Sequence, residues 1–162
     1  MVMSELETTR RPRVPPHNLE AEESLLGAML LSRDAIADAV ELTQTEHFYR
    51  PAHAHVFDAI STLYAAGDPA DPVTVAEELD RAGVLTTIGG LDGLLNLQVN
   101  TPATSNASKY AQIISERYTL RRLIEVSGEI AEIGFSMPDD VTKAVDEAEN
   151  MMFQVAQGRV AD

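Results

Sequence analysis

The 162-residue chain has no cysteine and no tryptophan, and only 5% of it is aromatic. Without thiols there are no disulfides, no thiol catalysis and no Cys-ligated zinc, and a reducing compartment fits. No run is long and apolar enough to span a bilayer. Residues 1–17 lack the apolar stretch of a signal peptide, so a cytoplasmic protein is expected. Cations are also scarce: 12 Lys and Arg stand against 26 Asp and Glu, a formal charge of −14. Non-specific nucleic-acid binding needs clustered Lys and Arg, so this segment is not expected to grip phosphates by itself. The one basic cluster, Arg10, Arg11 and Arg13, lies in a Pro-containing leader and reads as a solvated arm.

What remains is 44% hydrophobic, enough for a core of Leu, Ile, Val, Ala and Met. The apolar spacing is helical throughout, and no period-2 strand pair stands out. Asn18 caps a helix whose face is Leu19, Leu26, Met29 and Leu30. Ser32 caps a second with Ile36, Val40 and Leu42. Pro51 opens a third, striped by Val56, Ile60 and Leu63 and stopped at Gly67. Thr74 and Glu77 form a capping-box pattern for a fourth. Gly89-Gly90 leads into a fifth with Leu91, Leu94, Leu95 and Leu97.

Two long helices follow, over residues 105–134 and 138–157. The first carries Ile113, Leu120, Leu123, Ile124, Ile130 and Ile133. The second carries Val141, Val145, Ala148, Met152 and Val155, a seam of about two heptads. At 1.5 Å per residue the first is about 45 Å long, against a body of about 35 Å for the residues before it. Such a hairpin protrudes, and its apolar side needs another chain. The expected fold is all-α: a compact multi-helix head and a long protruding helical hairpin. The expected boundaries are a disordered arm at 1–16, a head at 17–104, a dimerisation hairpin at 105–157 and a linker beginning at 158–162.

Candidate chemistry is thin. His53 and His55 lie two residues apart on one helix and point about 200° from each other, so they cannot share an ion. His47 and His53 read as packing or capping residues, with His53 buried beside Phe57 and Ile60. Glu20, Glu22 and Glu23 read as a solvated face, with Glu20 available to a partner. Gly89-Gly90-Leu91-Asp92-Gly93 lacks the Lys-Ser/Thr ending of a P-loop. The helix after Thr74 offers Glu77, Glu78, Asp80 and Arg81, a poor set for reading bases. No catalytic, cofactor or metal residue is expected here.

Several segments together resemble the amino-terminal domain of the bacterial hexameric replicative DNA helicase, the DnaB family. They are Val14-Pro15-Pro16-His17-Asn18-Leu19-Glu20-Ala21-Glu22 with Leu25-Leu26-Gly27, Phe48-Tyr49-Arg50 with His53 and Phe57, and Asp71-Pro72-Val73-Thr74-Val75. Gly89-Gly90, Asn100-Thr101-Pro102 with Asn106, Tyr110-Ala111 with Ile113, and Leu120-Arg121-Arg122-Leu123-Ile124 follow in the family's order. Two positions depart: the family often has an aromatic near Gly93-Leu94 and an acid at His47, where a partner surface would be tuned.

The resemblance implies an assembly and partner-recruitment domain of a hexameric, ATP-dependent helicase acting in replication initiation and elongation. Hairpins would pair through Leu120, Leu123, Ile124, Ile130, Ile133, Val141, Val145 and Met152, giving a trimer of dimers. A DnaG-type primase would dock around Glu20, Leu94, Ile124 and Ile130, and a helicase loader would also bind this tier. ATP, magnesium and DNA would be handled by a RecA-like motor outside these residues. The competing reading is a free-standing helical adaptor without a motor.

Overall fold

The computed structural model describes residues 13–158. Arg10, Arg11 and most of the expected arm lie outside that range, as does most of the expected linker. Among the described residues there are seven α-helices and no strand.

Helix α1 (Leu19–Leu31) is the central element. Asn18 accepts a hydrogen bond from the Ala21 amide at 2.9 Å and starts it. Nearly its whole circumference from Ala21 to Leu30 is buried, because α2, α3, α5 and α6 all lean on it. Helix α2 (Arg33–Leu42) is capped by Ser32 and buries Ala35, Ile36 and Ala39; Val40 of the expected stripe stays exposed. A 3-10 turn, Thr45–His47, leads to α3 (Pro51–Ala65), which has Pro51 in its first turn and Gly67 at φ 78° just past its end.

Helix α4 (Pro72–Arg81) has its N-cap at Asp71, three residues before Thr74. The capping box runs from Asp71 to Thr74, with Asp71 Oδ1 accepting from the Thr74 amide at 2.9 Å and Thr74 Oγ1 accepting from the Asp71 amide at 3.0 Å. Asp71 wins because Pro72, which has no N–H to satisfy, fits the first helical position behind it. A 3-10 turn, Leu85–Ile88, then passes into α5 (Gly90–Val99), with Gly89 at φ 89° and Gly90 at φ 69° making the tight junction. Helix α5 buries Leu94 and Leu97 and exposes Leu91 and Leu95. It lies against α1 so closely that a Cβ at Gly27 would strike the Leu97 carbonyl and Thr101 Oγ1.

Helix α6 (Ala107–Phe135) runs for 29 residues, and α7 (Val141–Gln157) returns along it for 17. The inner end of α6 belongs to the head. Its Ala107, Ala111, Ile114 and Ser115 are buried, and the first three join the head's core. Beyond them only Val126 is buried. Helix α7 has its substantial contact with α6 alone and buries no residue. Asp140 caps it, accepting from the Lys143 amide at 3.0 Å.

Candidate assembly surface and the hairpin root

The two hairpin helices divide their apolar residues between two jobs. On α7, Ala144, Ala148, Met151 and Val155 recur at helical spacing and are half-buried. Val141, Val145 and Met152 lie beside them in the helical wheel and are 66%, 51% and 38% exposed. On α6, Val126, Ile130 and Ile133 are covered wholly or in part, whereas Leu120, Leu123 and Ile124 are 44%, 39% and 58% exposed. One apolar side of the hairpin is thus closed between α6 and α7, and an adjoining stripe is left open. Phe135, Met137 and Phe153 add further exposed apolar surface. Sequence spacing singled out none of these three, since they fall off the heptad. Burial of such a stripe is worth about 25 cal/mol per Å².

The partner residues expected from sequence separate. Glu20 and Ile124 are exposed and Ile130 is half-buried. Leu94 is fully buried in the head core, so it is removed from the surface set. Gly93 is no surface tuner either, because the 3-10 turn brings the Ile88 carbonyl to where its side chain would begin. His47 is buried as well. Apolar residues of α5 that do face solvent are Leu91, Leu95 and Val99.

The root of the hairpin holds the polar residues that carry the sequence blocks. Glu22 is 1% exposed, which overturns its reading as part of a solvated face. Its carboxylate accepts from the Tyr49 amide at 2.8 Å, the Arg50 amide at 3.3 Å and His53 Nδ1 at 2.8 Å. It thereby places negative charge at the start of α3, where the helix dipole favours it. The sequence did hold a signal: Glu22 fills the vacant step of the stripe Leu19, Leu26, Met29. A carboxylate on such a stripe is buried only if partners reach it, and those partners lie 27 to 31 residues away.

Arg121 closes the other side of this cluster. Its guanidinium donates to the Pro16 carbonyl and to the His47 carbonyl, each at 2.8 Å. It also lies over the Tyr49 ring, 5.4 Å from its centroid, and over Tyr118 at 5.7 Å. Tyr49 stacks on His17 at 4.1 Å, and His47 stacks on Tyr118 at 4.6 Å. Burial pushes Arg121 below its usual range, while the Glu22 charge opposes the shift; a guanidinium stays charged regardless. His47 Nδ1 accepts from the Gln44 amide at 3.2 Å and lies 2.9 Å from Thr43 Oγ1. An amide can only donate, so that nitrogen carries no proton. Burial, with a smaller contribution from Arg121, pushes the His47 pKa down, and Glu46 opposes it. The expected packing and capping role of His47 and burial of His53 both hold. The hydrogen bonds and stacked rings of this cluster tie the leader, residues 47–53 and α6 together as a structural knot.

The chain resembles known proteins over most of its length. The model of the DnaB-like helicase N-terminal domain matches residues 14–116. The replicative DNA helicase DnaB of Mycobacterium leprae (strain TN) is 47% identical over 152 residues, covering 93% of this chain and 25% of that protein. The replicative DNA helicase DnaC of Bacillus subtilis (strain 168) is 37% identical over 145 residues, covering 90% of this chain and 32% of that protein. The chain thus spans about a quarter to a third of these relatives. The crystal structure of the N-terminal domain of DnaB helicase from Mycobacterium tuberculosis superposes with a TM-score of 0.82 at 47% identity, over 87% of this chain and 99% of that one. A structure of a DnaB-like replicative helicase and its interactions with primase shares the fold at a TM-score of 0.69 and 22% identity, over 85% of this chain and 31% of that one. The chain belongs to the DnaB-like helicase N-terminal domain family.

Proposed function

We propose that this domain is the assembly and recruitment tier of a hexameric replicative DNA helicase. The observation that carries the reading is the hairpin stripe of Leu120, Leu123, Ile124, Val141, Val145 and Met152, left exposed on a projection that the head does not cover. Pairing of that stripe with its copy gives a dimer, and three such dimers give a ring. An apolar seam of this kind has ample driving force, although area alone does not set affinity. Relatives three to four times longer than the matched segment support a motor domain on the same protein. That motor would bind ATP, magnesium and DNA; the acidic tier described here positions partners.

Primase of the DnaG type docks, in this reading, on Glu20, Ile124 and Ile130, and a helicase loader uses the same tier. The fold shared with a helicase structure that includes its primase interactions supports the partner class. Titrating primase against the domain tests it. Wild type binds saturably, and Glu20→Lys weakens binding by about tenfold, equivalent to about 1.4 kcal/mol. Wild-type affinity in both Glu20→Lys and Ile124→Glu counts against docking at this surface.

A further inference from the structure

Arg121 sits where α6 leaves the head. On its inner side Ala111, Ile114 and Ser115 are buried; on its outer side α6 buries only Val126. Among the described residues, no side-chain hydrogen bond ties α6 to the head beyond Arg121, since Ser127 and Ser136 bond within their own helical turns. Arg121 itself reaches 105 residues back to Pro16 and 74 residues back to His47. It has no carboxylate within ion-pair distance among the described residues. Its two bonds go to carbonyls of two separate segments, and its flat face meets Tyr49, which His17 covers from the leader.

We propose that the leader around Pro16–His17, Tyr49 and Arg121 form a latch that fixes the angle at which the hairpin leaves the head. Arg121 is the positioning residue. A planar guanidinium can hold two carbonyls and stack on a ring at once, which an ammonium cannot. With the latch closed, α6 leaves the head rigidly; with it open, only the helix itself resists bending. From residue 121 to the end of α6 is a lever of about 20 Å. A swing of about 15° therefore moves the tip by about 5 Å, enough to take two seams out of register, given one helical turn of about 5.4 Å. The link to pairing rests on the dimer reading above; the link to hairpin angle does not.

The absence of cysteine in this chain makes the test clean. Thr62→Cys on α3 and Thr142→Cys near the tip, both at exposed positions, carry spin labels in the 162-residue chain, diluted with unlabelled chain. Wild type gives one narrow distance distribution. Arg121→Gln broadens or shifts it by about 5 Å, and Arg121→Lys gives an intermediate width. A purely structural role would lower the melting temperature and leave the distance unchanged. If Arg121→Gln fails to fold, His17→Ala and Tyr49→Leu, which remove the stack without stranding a buried charge, decide instead. A wild-type distribution in every folded variant overturns the latch. A chain that is monomeric at all concentrations, yet shifts its distance in Arg121→Gln, keeps the latch and sinks the pairing reading.

Discussion

Glu22 shows how a single side chain organises this head. It is buried, and it serves two backbone amides and one imidazole. Glu22→Ala leaves those donors without an acceptor at the start of α3. The expected loss is about 1–3 kcal/mol for each donor left buried and unsatisfied, read from urea unfolding. A loss under about 1 kcal/mol would show that water replaces the carboxylate without penalty. His47 supplies a second, pH-dependent contribution. Its folded pKa lies below the ordinary value near 6.5, chiefly because it is buried. As pH falls through about 6.5 the unfolded chain takes up a proton that the folded chain refuses, so stability declines toward the lower folded value and is full above 6.5. His47→Gln should flatten that decline; an unchanged slope between pH 7 and 5 would assign it to other groups. Sequence spacing reached His53, on a face with Phe57 and Ile60. It missed Glu22 because the reason for burying a carboxylate lies in a turn some thirty residues on.

The helices were the most legible level. Asn18, Ser32, Pro51 and Gly67 mark their boundaries where local chemistry predicts them, because capping is decided within a few residues. At α4 the cap lies at Asp71, three positions before the Thr74 that the sequence pattern favours, because the Asp71–Thr74 and Thr74–Glu77 patterns overlap and only Pro72 arbitrates. Which leucine of a stripe faces the core was less legible. Leu91, Leu94, Leu95 and Leu97 all suit α5, but only Leu94 and Leu97 are buried, and that choice is made by α1. The closeness of α5 to α1 also gives a sharp expectation for Gly27→Ala. The new methyl meets backbone at Leu97, and overpacking of this kind costs about 1–3 kcal/mol. A thermal midpoint equal to wild type would mean that α5 can retreat. For the hairpin, Leu123→Asp with Ile124→Asp places two charges on the exposed stripe of α6. The variant should keep its helical circular dichroism and lose self-association. An unchanged mass would move the seam elsewhere on the hairpin.

The whole molecule is an acidic head with a projecting helical arm. The protrusion was legible from length alone, since the last two helices exceed what the preceding residues can cover. The knot at the hairpin root was not legible, because its members come from the leader, from residues 47–53 and from Arg121. Two chains of charge −14 repel one another, so any pairing works against a long-range electrostatic term. Salt screens that term over about 8 Å at physiological ionic strength. Association should therefore strengthen as salt rises. Weakening would mean that ion pairs, and not the apolar stripe, hold the copies together.

The most direct test of hairpin pairing is multi-angle light scattering of the 162-residue chain across a concentration series. Pairing predicts a mass that climbs from 17.6 kDa to twice that value or more as concentration rises into the micromolar range. A mass that stays at one chain up to high micromolar concentration would contradict the account at its centre.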